Sequence, residues 1–162
     1  MIGKEHWVLY NTKIYEIDYD GFYCRYYLHY KEDCDLNPVI PINATSCYFM
    51  FYGCKSLTQL DLSSFNLSEV NYISSMFRDC VSLTVLDLSN FDTFMVKHMD
   101  LVFFGCKALT TIYISDKWNI DKVKLSGEMF GICHSLPNFN QEKTDIEMAK
   151  PVEEGGYLTL KE

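Results

Sequence analysis

No segment of this chain is basic, none is long and apolar, and none carries a familiar catalytic motif. Each absence removes a class of function. The 162 residues include 22 acidic and 14 basic side chains, for a net charge of −8. The balance is negative over residues 1–50, 51–140 and 141–162 alike. A nucleic-acid backbone is therefore an unsuitable direct ligand. A basic protein partner suits this charge, and so does plain solubility. No apolar run approaches the ~20 residues of a membrane span. Charge appears early, at Lys4 and Glu5, and no uninterrupted apolar core of a signal peptide follows. No lipidation signal closes the sequence. These features predict a cytoplasmic protein with no membrane contact, or a cell-surface or secreted one if the chain is a trimmed piece.

Chemistry is equally sparse. There is no glycine-rich phosphate loop, zinc-finger spacing or nucleophile elbow. His6, His29 and His98 have no neighbour that suggests a proton relay. Cys133-His134 juxtaposes a nucleophile and a base, but adjacent residues in a strand or turn point apart. No catalytic residue, metal or cofactor is expected.

What is present is a repeat. Apolar residues make up 48% of the chain, enough for one domain with a sizeable core. The stretch from Phe51 to Phe77 recurs from Phe77 and again from Phe103, and a partial fourth unit starts at Phe130. Phe51, Phe77, Phe103 and Phe130 form one column, spaced 26, 26 and 27. Cys54, Cys80, Cys106 and Cys133 keep the same spacing. Leu57, Leu83, Leu109 and Leu136 follow, then Leu60, Leu86, Ile112 and Phe139, and then Leu62, Leu88 and Ile114. Phe65, Phe91 and Trp118 precede Val70, Val96 and Val123, while Met50, Met76, Val102 and Met129 stand just before each Phe. So many columns in phase predict a solenoid, in which each unit covers its neighbour. The alternating L-T-x-L-D-L is a short strand with its leucines inward. A Ser-Ser or Ser-Asn turn follows it. Apolar spacing of three or four in V-x-x-[IM]-x-x-M-F-x-x-C predicts one helical or 3₁₀ turn.

The flanks read as caps. Lys13–Tyr19 alternates β-formers with polar residues, a strand signal. Ile14–Phe22 aligns with Leu57–Phe65, which places Asp18 on Asp61 and predicts a degenerate first coil within an N-terminal cap over residues 1–50. The segment from Phe22 to Ala44 reads as an inserted helix or loop, with Tyr23, Tyr26, Tyr27 and Tyr30 at helix-like spacing. Those tyrosines would either cover the solenoid end or act as interface anchors. Residues 140–162 lose the pattern and form a C-terminal cap, with Tyr157–Lys161 as a last short strand. Open ends would also allow stacking of copies.

Two columns invite chemistry. Parallel cysteines ~4.8 Å apart on neighbouring strands do not converge as zinc requires. They also suit disulfides poorly, so they are expected as reduced core residues. Asp18, Asp61 and Asp87 form an outward acidic row, with Tyr113 at the third position. Tyr15, Gln59, Val85 and Thr111 lie beside it. This row is either a solvated face or a site for a basic partner.

The pattern M-F-x-x-C-x-x-L-T-x-L-D-L-S-x-F, at Met50–Phe65 and Met76–Phe91, resembles the BspA-like leucine-rich repeats of bacterial surface proteins. Asn90-Phe91-Asp92-Thr93 followed by Val96 also fits that family's turn after the strand. The third unit departs from it with Ile112-Tyr113-Ile114, Trp118 and Ser126. The resemblance implies an α/β solenoid, right-handed, with a short parallel sheet on one face, and a role in binding. The expected function is a non-enzymatic protein-binding module. Its surface would comprise Tyr15, Asp18, Gln59, Asp61, Val85, Asp87, Thr111 and Tyr113, helped by Tyr23, Tyr26, Tyr27 and Tyr30. A small acidic inhibitor or adaptor acting on a basic, nucleic-acid-binding protein is one form of it. A fragment of a surface adhesin is the alternative that the family implies.

Overall fold

The computed structural model describes the backbone of residues 6–10, 13–19 and 24–28, and the backbone and side chains of residues 45–161. Three strands, β1 (His6–Tyr10), β2 (Lys13–Tyr19) and β3 (Cys24–Leu28), form an antiparallel sheet in chain order. The strand expected over Lys13–Tyr19 is therefore present. Two related expectations are corrected. Tyr26 and Tyr27 lie on β3 and not on an inserted helix, because tyrosine-rich runs favour a pleated surface. Tyr23, Tyr30 and most of the remaining insertion lie outside the described residues. Nor is β2 a first repeat. It pairs antiparallel with both neighbours, Tyr15 opposite Val8 and Leu28, and Asp18 opposite Arg25. Both its edges are taken, so Tyr15 and Asp18 do not extend the row of Gln59 and Asp61. Alternation specifies a strand but not its direction or its partner.

From Thr45 onward the repeats stack in parallel register. Strands β4 (Val85–Asp87), β5 (Thr111–Ile114) and β6 (Thr159–Leu160) form one sheet. Val85 pairs with Thr111, Asp87 with Tyr113, and Tyr113 with Thr159. A second line of parallel bridges joins Ser46, Tyr72, His98 and Leu125. Each of its steps joins corresponding positions of adjacent repeats.

Among the described residues there is no α-helix, so the helical half of the expected α/β pattern is replaced. The segment before each Cys is a run of tight turns. Cys54 N–H donates to Phe51 O, Cys80 to Phe77, Cys106 to Phe103 and Cys133 to Phe130, at 3.0 to 3.2 Å. The third residue of each turn is left-handed: Gly53, Asp79, Gly105 and Ile132, with φ of 69°, 60°, 75° and 62°. A second left-handed column, Phe49, Ser75, Leu101 and Glu128, lies four residues earlier. Apolar spacing of three or four is satisfied by such turns, closed by bonds between residues three apart, as well as by a helix.

The left-handed residues have a purpose. They rotate alternate amides so that these point along the stack instead of within the turn. Phe51 N–H donates to Met76 O at 2.8 Å, Phe77 to Val102 at 3.0 Å and Phe103 to Met129 at 2.9 Å. Gly53, Asp79 and Gly105 donate likewise to Arg78, Phe104 and Gly131, each at 2.8 Å. A non-glycine residue in this region costs about 1–2 kcal/mol. The bonds between repeats, buried and fully paired, offset that strain.

The core is built from the predicted columns. The four Phe rings stack with centroids 5.5, 6.0 and 5.4 Å apart. Phe65 and Phe91 stack at 6.0 Å. The leucines at 57, 83, 109 and 136 are buried, as are the methionines at 50, 76 and 129. The third unit is looser, with Trp118, Ile120 and Val123 only partly covered.

After Phe139 the chain stops repeating and closes the stack. Two 3₁₀ turns, Ile146–Met148 and Val152–Glu154, flank buried Met148 and Ala149. Tyr157 ends the Phe column, its ring edge-on to Phe130 at 5.3 Å. Its hydroxyl accepts from Asn140 N–H at 2.8 Å and donates to Lys143 O at 2.9 Å. The final strand β6 then lies beside β5.

The turn geometry makes a paired prediction. A Cβ at Gly105 would fall 2.3 Å from Asp79 Oδ1, on a backbone at φ 75°. A Cβ at Gly127 would meet nothing within 4 Å. Gly105→Ala should lower the urea-unfolding free energy by about 1–3 kcal/mol, and Gly127→Ala by well under about 1 kcal/mol.

Candidate protein-binding face

The outward side of the parallel sheet is the strongest candidate surface. Along β4, Val85 and Asp87 face out and Leu86 faces in. Along β5, Thr111 and Tyr113 face out while Ile112 and Ile114 are buried. Gln59 and Asp61 precede them in the stack and are exposed. The structure thus brings together four of the expected site residues, Val85, Asp87, Thr111 and Tyr113, while Gln59 and Asp61 lie one repeat earlier, outside the strands. Val85 is 44% exposed.

The carboxylates are fixed by their own turns. Asp61 Oδ1 accepts Ser63 N–H at 2.9 Å, and Asp87 Oδ1 accepts Ser89 N–H at 3.0 Å. The Ser63 amide and hydroxyl hold the Asp61 carboxyl below its ordinary value. For Asp87, partial burial pushes upward, but Lys161 and Ser89 together pull its carboxyl lower. Both side chains therefore stay charged at neutral pH. The repeated Asp has a local reason as well as any functional one: it closes the turn after the strand.

Lys161 was not foreseen as part of this face. Its ammonium pairs with Asp87 Oδ2 and lies over the Tyr113 ring, 6.0 Å from the centroid. Its backbone amide donates to Ile114 O at 2.8 Å, continuing β6. The two partners are 74 residues apart, and no column connects them. Asp61 has no such cation among the described residues.

Elsewhere on the surface, Tyr72 and His98 pack their rings 4.7 Å apart on the second line of bridges. Arg78 lies between Tyr52 and Phe104, 5.7 and 5.2 Å from their centroids. Both contacts join corresponding positions of adjacent repeats and lock the stack laterally.

The Cys column is buried, but it is more than apolar filling. Cys80 Sγ–H donates to Phe51 O at 3.1 Å, Cys106 to Phe77 O at 3.0 Å and Cys133 to Phe103 O at 2.9 Å. Each thiol thus bonds a carbonyl of the preceding repeat. Small size and an S–H donor explain why Cys, and not Ala or Val, recurs there. The neighbouring Cys54 thiol and burial push Cys80 well up, and burial does the same to Cys106. Burial pushes Cys133 up to about 12. Such thiols are protonated and unreactive. Cys133 is committed to Phe103 O, whereas His134 is exposed and packs its ring edge on Phe139 at 5.2 Å. The two side chains therefore have separate partners. No cluster of three or more potential metal ligands occurs among the described residues. No helix among them is long and apolar enough to cross a membrane.

Comparison with known families is decisive on one point. The family described as Mycoplasma protein of unknown function, DUF285, matches residues 42–154. The chain belongs to the DUF285 family. No curated protein and no solved structure matches it. The DUF285 match covers the stacked repeats and both 3₁₀ turns. It leaves out strands β1 to β3 and also β6 with Lys161. Asp61, Asp87 and Tyr113 thus lie in the DUF285 region, while the cation that meets Asp87 comes from outside it.

The thiol geometry gives two measurable consequences. Cys80, Cys106 and Cys133 of the native DUF285 chain should resist alkylation at pH 8 and label fully in denaturant, read peptide by peptide by mass spectrometry. Their raised pKa values also set a pH dependence. The stabilisation is complete below the ordinary thiol value of 9.0 and is lost as pH rises toward about 12. Melting temperature should therefore fall steadily above about pH 9, and Cys133→Ala should flatten that fall.

Proposed function

We propose that this DUF285 chain is a non-enzymatic protein-binding module whose repeats coil as a right-handed, BspA-like leucine-rich-repeat solenoid. The sheet face is its contact surface. The partner is a basic segment of another protein, such as the nucleic-acid-binding surface of an enzyme that the module would block. One observation carries this reading: Asp61 and Asp87 are held as charged, turn-anchored carboxylates beside exposed Val85 and Gln59. A contact surface combines fixed charges with exposed apolar side chains. Parallel ladders also place the side chains of successive repeats at a regular ~4.8 Å, matched to an extended or helical segment laid across them.

The test separates charge from fold. Asn keeps the Oδ1 acceptor that Ser63 and Ser89 use, so Asp61→Asn with Asp87→Asn removes two charges and leaves both turns. Wild type and double variant are immobilised and exposed to the same host lysate. Partners held by wild type should fall at least about tenfold on the variant, equivalent to about 1.4 kcal/mol, with an unchanged melting temperature. Equal recovery on both would overturn the assignment of this face.

A further inference from the structure

The contact between Lys161 and the sheet shows what kind of group the face accepts. A carboxylate and an aromatic ring, on adjacent strands of the same sheet, converge on one ammonium. That combination is a cation site of general design: charge from Asp87, quadrupole from Tyr113. The group that fills it belongs to the last residues of the chain. Lys161 follows β6, a strand of only two residues, and its side chain is 48% exposed. Its nearest strong anchors are Tyr157 and Leu158, which are fully buried. Residues 159–161 are held, among the described residues, by β6 pairing, the Lys161 amide bond and this ion pair. Half-exposed pairs of this kind contribute little stability, typically up to about 1 kcal/mol. The Asp87 carboxyl is pulled low in part by this lysine, in agreement with the geometry.

We propose that the notch between Asp87 and Tyr113 is a recognition site for a lysine presented by a protein partner, and that Lys161 occupies it when the partner is absent. The inference rests on the sheet face being the contact surface, and it adds the identity of the recognised group and a built-in competitor. Asp61 of the preceding repeat, exposed and with no cation among the described residues, would take a second basic side chain of the same segment. Alternate side chains of an extended peptide lie on one face ~6.6–6.8 Å apart, so two basic residues separated by one present two cations to the sheet face. Occupation by Lys161 lowers apparent affinity by the fraction of time the notch is filled.

The experiment uses the full chain and a defined probe, a blocked Lys-Thr-Lys tripeptide, with Gln-Thr-Gln as control. Binding is followed by NMR at the Tyr113 ring and the Asp87 carboxyl carbon. Lys161→Ala should bind the lysine peptide with a Kd of about 1 mM, about two- to sixfold more tightly than wild type. Lys161→Arg should behave as wild type, because it restores a cation. Adding Asp87→Asn to Lys161→Ala should abolish the saturable shift at Tyr113. The proposal is overturned if Lys161→Ala, with unchanged melting temperature, shows no saturable shift. It is also overturned if wild type and Lys161→Ala bind alike, since Lys161 would then not compete. A molecular mass that rises with concentration in wild type and reverts in Lys161→Ala would make a second copy of the chain the occupant, and the proposal would fail. None of these failures touches the capture experiment, which reads the loss of Asp61 and Asp87 charge directly.

Discussion

The structure depends on hydrogen bonds made between repeats, added to those that close each turn. Each unit turns tightly at two left-handed residues, and each left-handed residue redirects an amide toward the next unit. The consequence is a ladder that requires like positions to stay level. That requirement explains the rest of the sequence. Phe must lie over Phe, because the turns hold Phe51, Phe77, Phe103 and Phe130 at stacking distance. The Cys position must be small and able to donate, because a carbonyl of the preceding repeat faces it. Strain at Asp79, where glycine would be at ease, is tolerated for the same reason: its amide bonds Phe104 O of the next repeat.

Such a stack has two ends that must be closed. Tyr157 closes one by continuing the ring column in a perpendicular orientation while its hydroxyl binds the backbone of residues 140 and 143. That solution also brings the following strand β6 beside β5. The cap and the outer sheet face are thereby linked, because the residues that finish the core also carry Lys161 onto Asp87. Its position outside the DUF285 match suits a feature laid onto a common scaffold.

Much of this was legible in the residues. The columns, their spacing, the inward leucines and the final strand all followed from periodicity, because burial of like residues leaves a direct trace. The turns did not. Met76, Phe77 and Cys80 have spacing that suits a helix, and only the direction of their amides distinguishes the two. β2 showed the same limit: its alternation identified a strand but said nothing of its antiparallel partners, so Asp18 was wrongly joined to Asp61 and Asp87. The thiol donors were hidden by the habit of counting Cys as apolar. Lys161 was hidden by distance, since an ion pair across 74 residues has no sequence pattern. Gln59, Val85, Thr111 and Tyr113 were found by a different signal, as the positions that the repeat leaves free to vary.

The most direct test of this account is NMR detection of couplings across hydrogen bonds, from amide nitrogen to carbonyl carbon. The stacked arrangement predicts correlations from Phe51 to Met76, Phe77 to Val102 and Phe103 to Met129. Correlations from each residue between Ile73 and Cys80 to the carbonyl four positions earlier would instead show a helix, and would contradict the account.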